Sequence, residues 1–268
     1  QAGTSHFLGQ NFSKASDISF AGRDGSKQFG WTTSWGVSTR LVGTLIMAHG
    51  DDDGIKLPPM VAPTQVVILP IVPKEENSDS VMTAVNKLAD QLDDAKYAGL
   101  PLRVEVDDRD MHGGAKNWEW IKKGAPIRVE IGPRDVEKGS VAVARRDKPH
   151  KEKQFIEAQE FLEEVGNILQ QIQSNLLEEA TEFRDTNMQN IDSMEEFIKF
   201  FTPSNKEKPE IHGGFASMGF CCDPKLEGKI SKKYKVTVRC IPDLSMQEVV
   251  PCVFTGLPGK RVIFAKSY

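Results

Sequence analysis

Long apolar runs are missing from this chain. None approaches the roughly 20 residues that a membrane-crossing helix needs, so no membrane span is expected. The first ten residues are too polar and glycine-rich for the apolar core of a secretory signal, and the chain does not open on methionine; a fragment or a processed chain is expected. An excess of one charge is also lacking: with a net charge of -4, the whole-chain balance gives no support to nucleic-acid binding, and charge has to be read locally. Cysteine is scarce. The four present, Cys221, Cys222, Cys240 and Cys252, all lie beyond residue 220, which confines metal or thiol chemistry to that end and makes a reducing compartment the default. Internal repeats and low-complexity tracts are absent.

What is present is the composition of a soluble globular protein, 39% hydrophobic and 27% charged over 268 residues, long enough for two or three cores. Arg145, Arg146, Lys148, Lys151 and Lys153 crowd one stretch, while residues 157–196 are strongly acidic. The plain alternative is a solvated loop beside a solvated helix face.

Residues 3–30 alternate short polar and apolar residues between glycines, as strands joined by turns do. Ser38 or Thr39 then caps a predicted helix with Leu41, Val42, Leu45 and Ile46 on its apolar face, ending at His49 and Gly50. A proline-rich linker, 57–63, marks a domain boundary. Beyond it, 65–72 reads as a strand buried on both faces, and Val81, Val85, Leu88 and Leu92 recur at helical spacing before Gly99. Further strands at 102–106, 127–131 and 141–144, a short helix at 116–122 and a helix from Lys151 complete an α/β unit with a largely parallel sheet. Helices to about Leu177 and over 194–201 follow. Strands at 234–241 and 261–265 end the chain, joined by Cys-, Gly- and Pro-rich segments.

The segments Gly3-Thr-Ser-His-Phe-Leu-Gly-Gln-Asn-Phe12, Thr33-Ser-Trp-Gly-Val-Ser-Thr-Arg40, His49-Gly-Asp-Asp-Asp53, Leu57-Pro-Pro59, Val129-Glu-Ile-Gly-Pro-Arg-Asp135 and Phe264-Ala-Lys-Ser-Tyr268 together resemble prolyl-tRNA synthetases of the archaeal and eukaryotic type. The resemblance covers nearly the whole chain. It implies an α/β and α+β multidomain arrangement: the end of a class II catalytic domain with its antiparallel sheet (1–59), an α/β anticodon-binding domain with a mixed sheet (60–173), and a small α+β C-terminal domain like a zinc module (174–268). The implied chemistry is activation of L-proline by ATP, with Mg2+ in the full enzyme, and transfer to tRNA(Pro), in a cytoplasmic homodimer.

By position within these motifs, Arg40 matches the ATP-binding arginine of the third class II motif, where a forked guanidinium suits phosphate better than a lysine. Thr4 and Ser38 match ATP contacts, and His6, Trp35 and Gly36 match the proline pocket. Arg109, Lys116, Glu130, Arg134, Arg145 and Arg146 are the candidate anticodon contacts, since unstacked bases are read through their edges and phosphates through cations. For Glu130 and Arg134 the alternative is a structural ion pair.

Two departures stand out. In the first cysteine cluster, Cys221-Cys-Asp-Pro-Lys-Leu-Glu227 puts Leu226 where the family has a ligand, and Cys252-Val-Phe-Thr255 leaves one sulfur in the second, so no structural zinc is expected unless Cys222 or Cys240 substitutes. The first two class II motifs also fall outside these residues, so the 268 residues alone are expected to be inactive, with unpaired strand edges and exposed apolar surface before Gly50. A noncatalytic RNA- or partner-binding protein is the competing expectation. A thiol redox module at Cys221 and Cys222 is a third; adjacent cysteines rarely form a relaxed disulfide.

Overall fold

Period-two alternation governs the first part of the chain. The computed structural model describes residues 3–72, 78–203, 205, 207, 213–242 and 249–266, and in it β1 (Gly3–Gly9) pairs antiparallel with β4 (Thr32–Val37) as a two-stranded ribbon. Between them lie α1 (Asn11–Ala15) and the hairpin β2 (Ser19–Ala21) and β3 (Lys27–Phe29). The short helix α1 went unforeseen in a stretch expected to hold only strands. The expected helix is α2 (Arg40–His49), and a small hairpin, β5 (Gly50–Asp51) with β6 (Gly54–Ile55), follows it directly. Much apolar surface here is open: Phe7, Trp31, Trp35, Val37 and Met47 are all more than two-thirds exposed.

The chain then builds a five-stranded sheet. Its first strand in the chain is β7 (Val66–Pro70), an inner strand buried throughout. After β7 come α3 (Ser78–Asp93), the hairpin β8 (Lys96–Tyr97) with β9 (Leu100–Pro101), β10 (Val104–Val106), α4 (Gly113–Lys123), β11 (Ile127–Ile131), α5 (Pro133–Lys138), β12 (Ser140–Arg145), β13 (Gln154–Glu157) and the 29-residue α6 (Ala158–Thr186). The order is β10-β7-β11-β12-β13, with β10, β7 and β11 parallel and β12 and β13 antiparallel, so the sheet is mixed rather than largely parallel.

Side-chain period explains how both faces of this sheet are covered. Val66 and Ile68 point to a core with Val81, Val85, Leu88 and Leu92 of α3 and with Phe161, Val165, Leu169 and Ile172 of α6. Val67 and Leu69, on the other face, meet Trp120 of α4 and Ala125. At about 25 cal/mol per Å², full burial of each such side chain contributes about 2 kcal/mol. The helix expected from Lys151 starts only at Ala158, because residues 154–157 instead pair with β12, whose edge would otherwise present unpaired N–H and C=O groups.

A second unit, Glu178–Tyr268, has its own core; the first unit is Gln1–Leu177. Here β14 (Met188–Ile191) lies parallel to β15 (Phe215–Phe220), which pairs antiparallel with β18 (Pro258–Lys266); β16 (Val236–Cys240) and the short β17 (Val250–Pro251) also pair with β18. α7 (Met194–Phe201) supplies Phe197 and Phe201, and Phe197 meets Tyr234, Phe254 and Phe264 edge-on at 5.2, 5.0 and 6.5 Å. A helix that sequence reading missed, α8 (Pro224–Tyr234), occupies part of the segment expected to be a link; Asp223 caps it, its side chain accepting from the Lys225 N–H at 2.9 Å, and Pro224 stands at its first turn. The terminal Tyr268 lies outside the described residues.

Candidate functional site

The register of the N-terminal ribbon sorts its side chains. Thr4 stands opposite Gly36 and His6 opposite Ser34, whereas Trp35 stands opposite Ser5. Because successive side chains of a strand point to opposite faces, Thr4, His6, Ser34 and Gly36 share one face, and Trp35 lies on the other with Phe7 and Val37. A Cβ on Gly36 would sit 3.7 Å from Thr4 Oγ1, so the glycine leaves the Thr4 hydroxyl accessible. The trio His6, Trp35 and Gly36 is thus divided: the indole, 79% exposed, is not on the His6 face of the ribbon. β4 runs directly into Ser38, whose Oγ accepts from the Arg40 N–H at 3.3 Å, and Arg40 opens α2 with an exposed side chain. Among the described residues no ion pair occupies its guanidinium.

A second site follows from strand order. The chain passes from β7 to β10 on one side and then crosses to β11 on the other, and open α/β sheets form a crevice at such a switch point, beyond the carboxyl ends of the strands. There a cavity of about 910 Å³ is lined by Ile71 and Val72 after β7, Arg109 to Gly114 after β10, Lys116 and Asn117 of α4, Glu130 of β11, and Lys153.

Six charged candidates fall in or near this unit, and the structure gives them different work. Asp107, buried, is the hub of the loop after β10: it accepts from Arg109 Nε and Nη2 at 2.8 Å each and from Trp120 Nε1 at 2.8 Å. The Arg109 guanidinium, then burial working the other way, and then the Trp120 bond leave its carboxyl far below the usual range. Arg109 also reaches Glu119 at 2.8 Å while lining the cavity. Lys116 is 5% exposed and donates to the Asp107 carbonyl at 3.0 Å. Glu130 accepts from Lys153 at 2.7 and 2.6 Å and from Asn117 at 2.9 Å; its partner is Lys153 and not Arg134, which is exposed on α5. Arg145 clamps buried Asp147 with two bonds of 2.9 and 2.7 Å and reaches Gln171 of α6. Arg146 is buried and bonded to Asp51 and to the carbonyls of Gly54, Ile55 and Ile121.

Lys116 is thus buried with one bond to the Asp107 carbonyl while it lines the cavity, and Arg146 is buried with its guanidinium bonded inside the fold. Arg145 is likewise held mainly by Asp147. Sequence reading also passed over Arg128. It is 1% exposed, its Nε donates to Asn117 Oδ1 at 2.7 Å, and neither terminal nitrogen has a hydrogen-bond partner among the described residues. Burial first, and then the neighbouring Arg146 charge, push its pKa down to about 10 against the pull of Glu130, so it stays charged at neutral pH. An arginine among β-branched and aliphatic residues in Ile127–Ile131 was the available signal.

In the second unit Leu226 packs against the aromatic cluster. Burial alone would raise the Cys252 thiol, but the Thr255 hydroxyl and the N–H groups of Phe254, Cys221 and Thr255 bring it below the ordinary value. Thr255 and Leu226 are the residues that the family resemblance sets at two of four ligand positions, and a leucine side chain offers no donor to a tetrahedral zinc. Among the described residues no three His, Cys, Asp or Glu side chains group as metal ligands.

The switch-point sheet has the fold of a synthetase-type domain: residues 65–168 match the family described as "Anticodon binding domain", and residues 206–268 match "Prolyl-tRNA synthetase, C-terminal". Over its whole length the chain is 50% identical to proline–tRNA ligase 2 of Anaeromyxobacter dehalogenans and 48% identical to the proline–tRNA ligase of Akkermansia muciniphila, covering 53% and 52% of those proteins. A prolyl-tRNA synthetase from Cryptosporidium parvum, solved in complex with L-proline and AMP, superposes with a TM-score of 0.83 at 33% identity, covering 100% of this chain and 55% of that one. The chain belongs to the prolyl-tRNA synthetase family, and it spans about half the length of the curated relatives it matches.

Proposed function

We propose that this protein takes part in joining L-proline to tRNA(Pro) at the cost of ATP, the first 59 residues contributing to the ATP and proline site and residues 60–173 to anticodon binding. One observation carries the first half: Thr4, His6 and Gly36 share a ribbon face that leads directly into Ser38 and Arg40. In activation, a proline carboxylate oxygen attacks the α-phosphorus of ATP and pyrophosphate departs, Mg2+ accompanying the nucleotide. Arg40 would meet the charge that gathers on the phosphate oxygens, the Thr4 and Ser38 hydroxyls would donate to the nucleotide, and His6 and Gly36 would border proline. Trp35 would reach proline only from a neighbouring layer of the site, since the other ribbon face presents it.

The crevice supports the second half. Glu130 offers acceptors to a base edge, Arg109 and Lys153 line the same crevice as cations, buried Arg128 adds its charge near Glu130, and Arg134, exposed on α5, would supply a phosphate contact. The whole protein would work as a cytoplasmic homodimer, and its C-terminal unit would hold together by packing, without structural zinc.

The test of the catalytic half uses the complete reading frame that carries this chain. Arg40→Ala should lower proline-dependent ATP–pyrophosphate exchange by about 100-fold, the usual scale for losing a group that stabilises developing charge. Exchange within about threefold of the unaltered protein would remove Arg40 from the site.

A further inference from the structure

Arg146 is a buried cation whose bonds all cross between parts of the chain far apart in sequence. Nη1 donates to Asp51 Oδ2 at 2.9 Å, Nη2 to the Gly54 carbonyl at 3.1 Å as well as to Asp51 Oδ1, and Nε to the carbonyls of Ile55 and Ile121 at 3.1 and 3.2 Å. One guanidinium therefore holds the β5–β6 hairpin against the carboxyl end of α4. The backbones are equally close: a Cβ on Gly54 would lie 2.6 Å from Lys122 Cα, and one on Gly124 2.6 Å from the Ile55 carbonyl oxygen. The Leu57 N–H donates to the Gly124 carbonyl at 3.3 Å.

This joint has two arms. The first is α2, a ten-residue helix whose last residue, His49, accepts at its carbonyl from the Lys56 N–H at 2.9 Å, and whose first residue is Arg40. The other is α4, whose carboxyl end enters the joint while its amino end, from His112 to Asn117, walls the crevice. Rigid secondary elements joined by hydrogen-bond and ion-pair networks are the physical carriers of coupling between sites. A shift of α4 on occupation of the crevice would have to be absorbed at Arg146 or passed to α2.

We propose that Arg146 is a positioning residue that couples the anticodon crevice to the Arg40 helix through Asp51, so that RNA bound at the crevice sets the geometry of the reacting end. This rests on the synthetase reading above. The test compares Arg146→Met and Asp51→Asn with the unaltered protein, all in the complete reading frame, using tRNA(Pro) and tRNA(Pro) with an altered anticodon. Pyrophosphate exchange without tRNA is measured beside prolylation.

In both variants kcat for prolylation should fall about tenfold while KM for tRNA stays within about twofold, and the kcat difference between the two RNAs should shrink; exchange without tRNA should fall less than about threefold. Equal losses in exchange and prolylation, or a rise in KM with kcat intact, would overturn the proposal: the first makes Arg146 a support of the fold alone, the second an RNA contact. Asp51→Asn keeps the side-chain shape and half of its acceptors, so it decides the matter if Arg146→Met does not fold. Absence of proline-dependent exchange in the unaltered protein would instead defeat the synthetase reading, and this coupling with it.

Discussion

Lys153 closes on Glu130, its ammonium donating to both carboxylate oxygens at 2.7 and 2.6 Å beside the crevice. The two lie on opposite sides of β12, so the pair stretches across a strand and holds the carboxylate toward Asn117. The Lys153 side chain is 30% exposed, and pairs of that kind contribute about 1 kcal/mol or less to stability. Lys153→Ala should accordingly change the free energy of unfolding by no more than about 1 kcal/mol, yet shift affinity for tRNA(Pro) about tenfold at fixed salt. Binding titrations beside urea unfolding check both; a large loss of stability with unchanged RNA affinity would make the pair structural.

Arg128 should show the reverse balance. A buried guanidinium with two unpartnered nitrogens costs about 1–3 kcal/mol, and a flexible apolar chain of similar length removes that cost. Arg128→Met is expected to raise stability in urea by about 1 kcal/mol while discrimination between the normal and the altered anticodon falls about tenfold. A variant that is less stable and binds RNA unchanged would show that the fold, rather than RNA, requires this arginine.

Acid should unfasten the first unit through its paired carboxylates. Asp107 is held far below the ordinary range, and Asp51 and Asp147 are lowered as well, Asp51 chiefly by its bond to Arg146 and Asp147 by Arg145 and Asn175 overcoming burial. A carboxyl depressed in the folded state stabilises at pH values above its unfolded pKa of about 4 and loses that contribution as pH falls through the folded value. Asp107→Asn, which weakens a pair with half-exposed Arg109, is expected to cost about 1 kcal/mol at neutral pH, and its difference from the unaltered protein should narrow steadily below about pH 4. Thermal unfolding from pH 7 to pH 2 gives that difference directly; a gap that widens on acidification would contradict the assignment.

Metal analysis can test the C-terminal unit by gain rather than loss. Leu226 and Thr255 stand at the two positions that resemblance to the family marks as missing ligands, with Cys221 and Cys252 at the others. The double change Leu226→Cys and Thr255→Cys should bind about one zinc per chain, with the unaltered chain binding none, because four thiolates complete a tetrahedral set. Zinc retained by the unaltered chain through sulfur would show that the present donors suffice.

Much of the scaffold was legible beforehand. The unbroken apolar run at β7, the four-three-four spacing of Val81, Val85, Leu88 and Leu92, and the strand Ile127–Ile131 are patterns that each admit one burial solution. α8 was harder to see because Lys-rich turns and Gly228 hide its period, although Asp223 and Pro224 mark its start. β13 exists because β12 needs a partner, which no local pattern announces.

Charge was the least legible. Arg109, Arg134, Arg145 and Arg146 look alike in a sequence, yet one braces Asp107, one is exposed, one clamps Asp147 and one is sealed against Asp51. The order of residues alone determined most of the elements, though not α1, α8 or β13, together with the family resemblance and the motif that contains Arg40, since these depend on local period and on residues close in the chain. Only the tertiary structure decided that Trp35 and His6 occupy opposite faces, that Lys116 and Arg146 are buried, and that Arg128 is buried with its Nε on Asn117, because a side chain's partner is set by strands and helices tens of residues away.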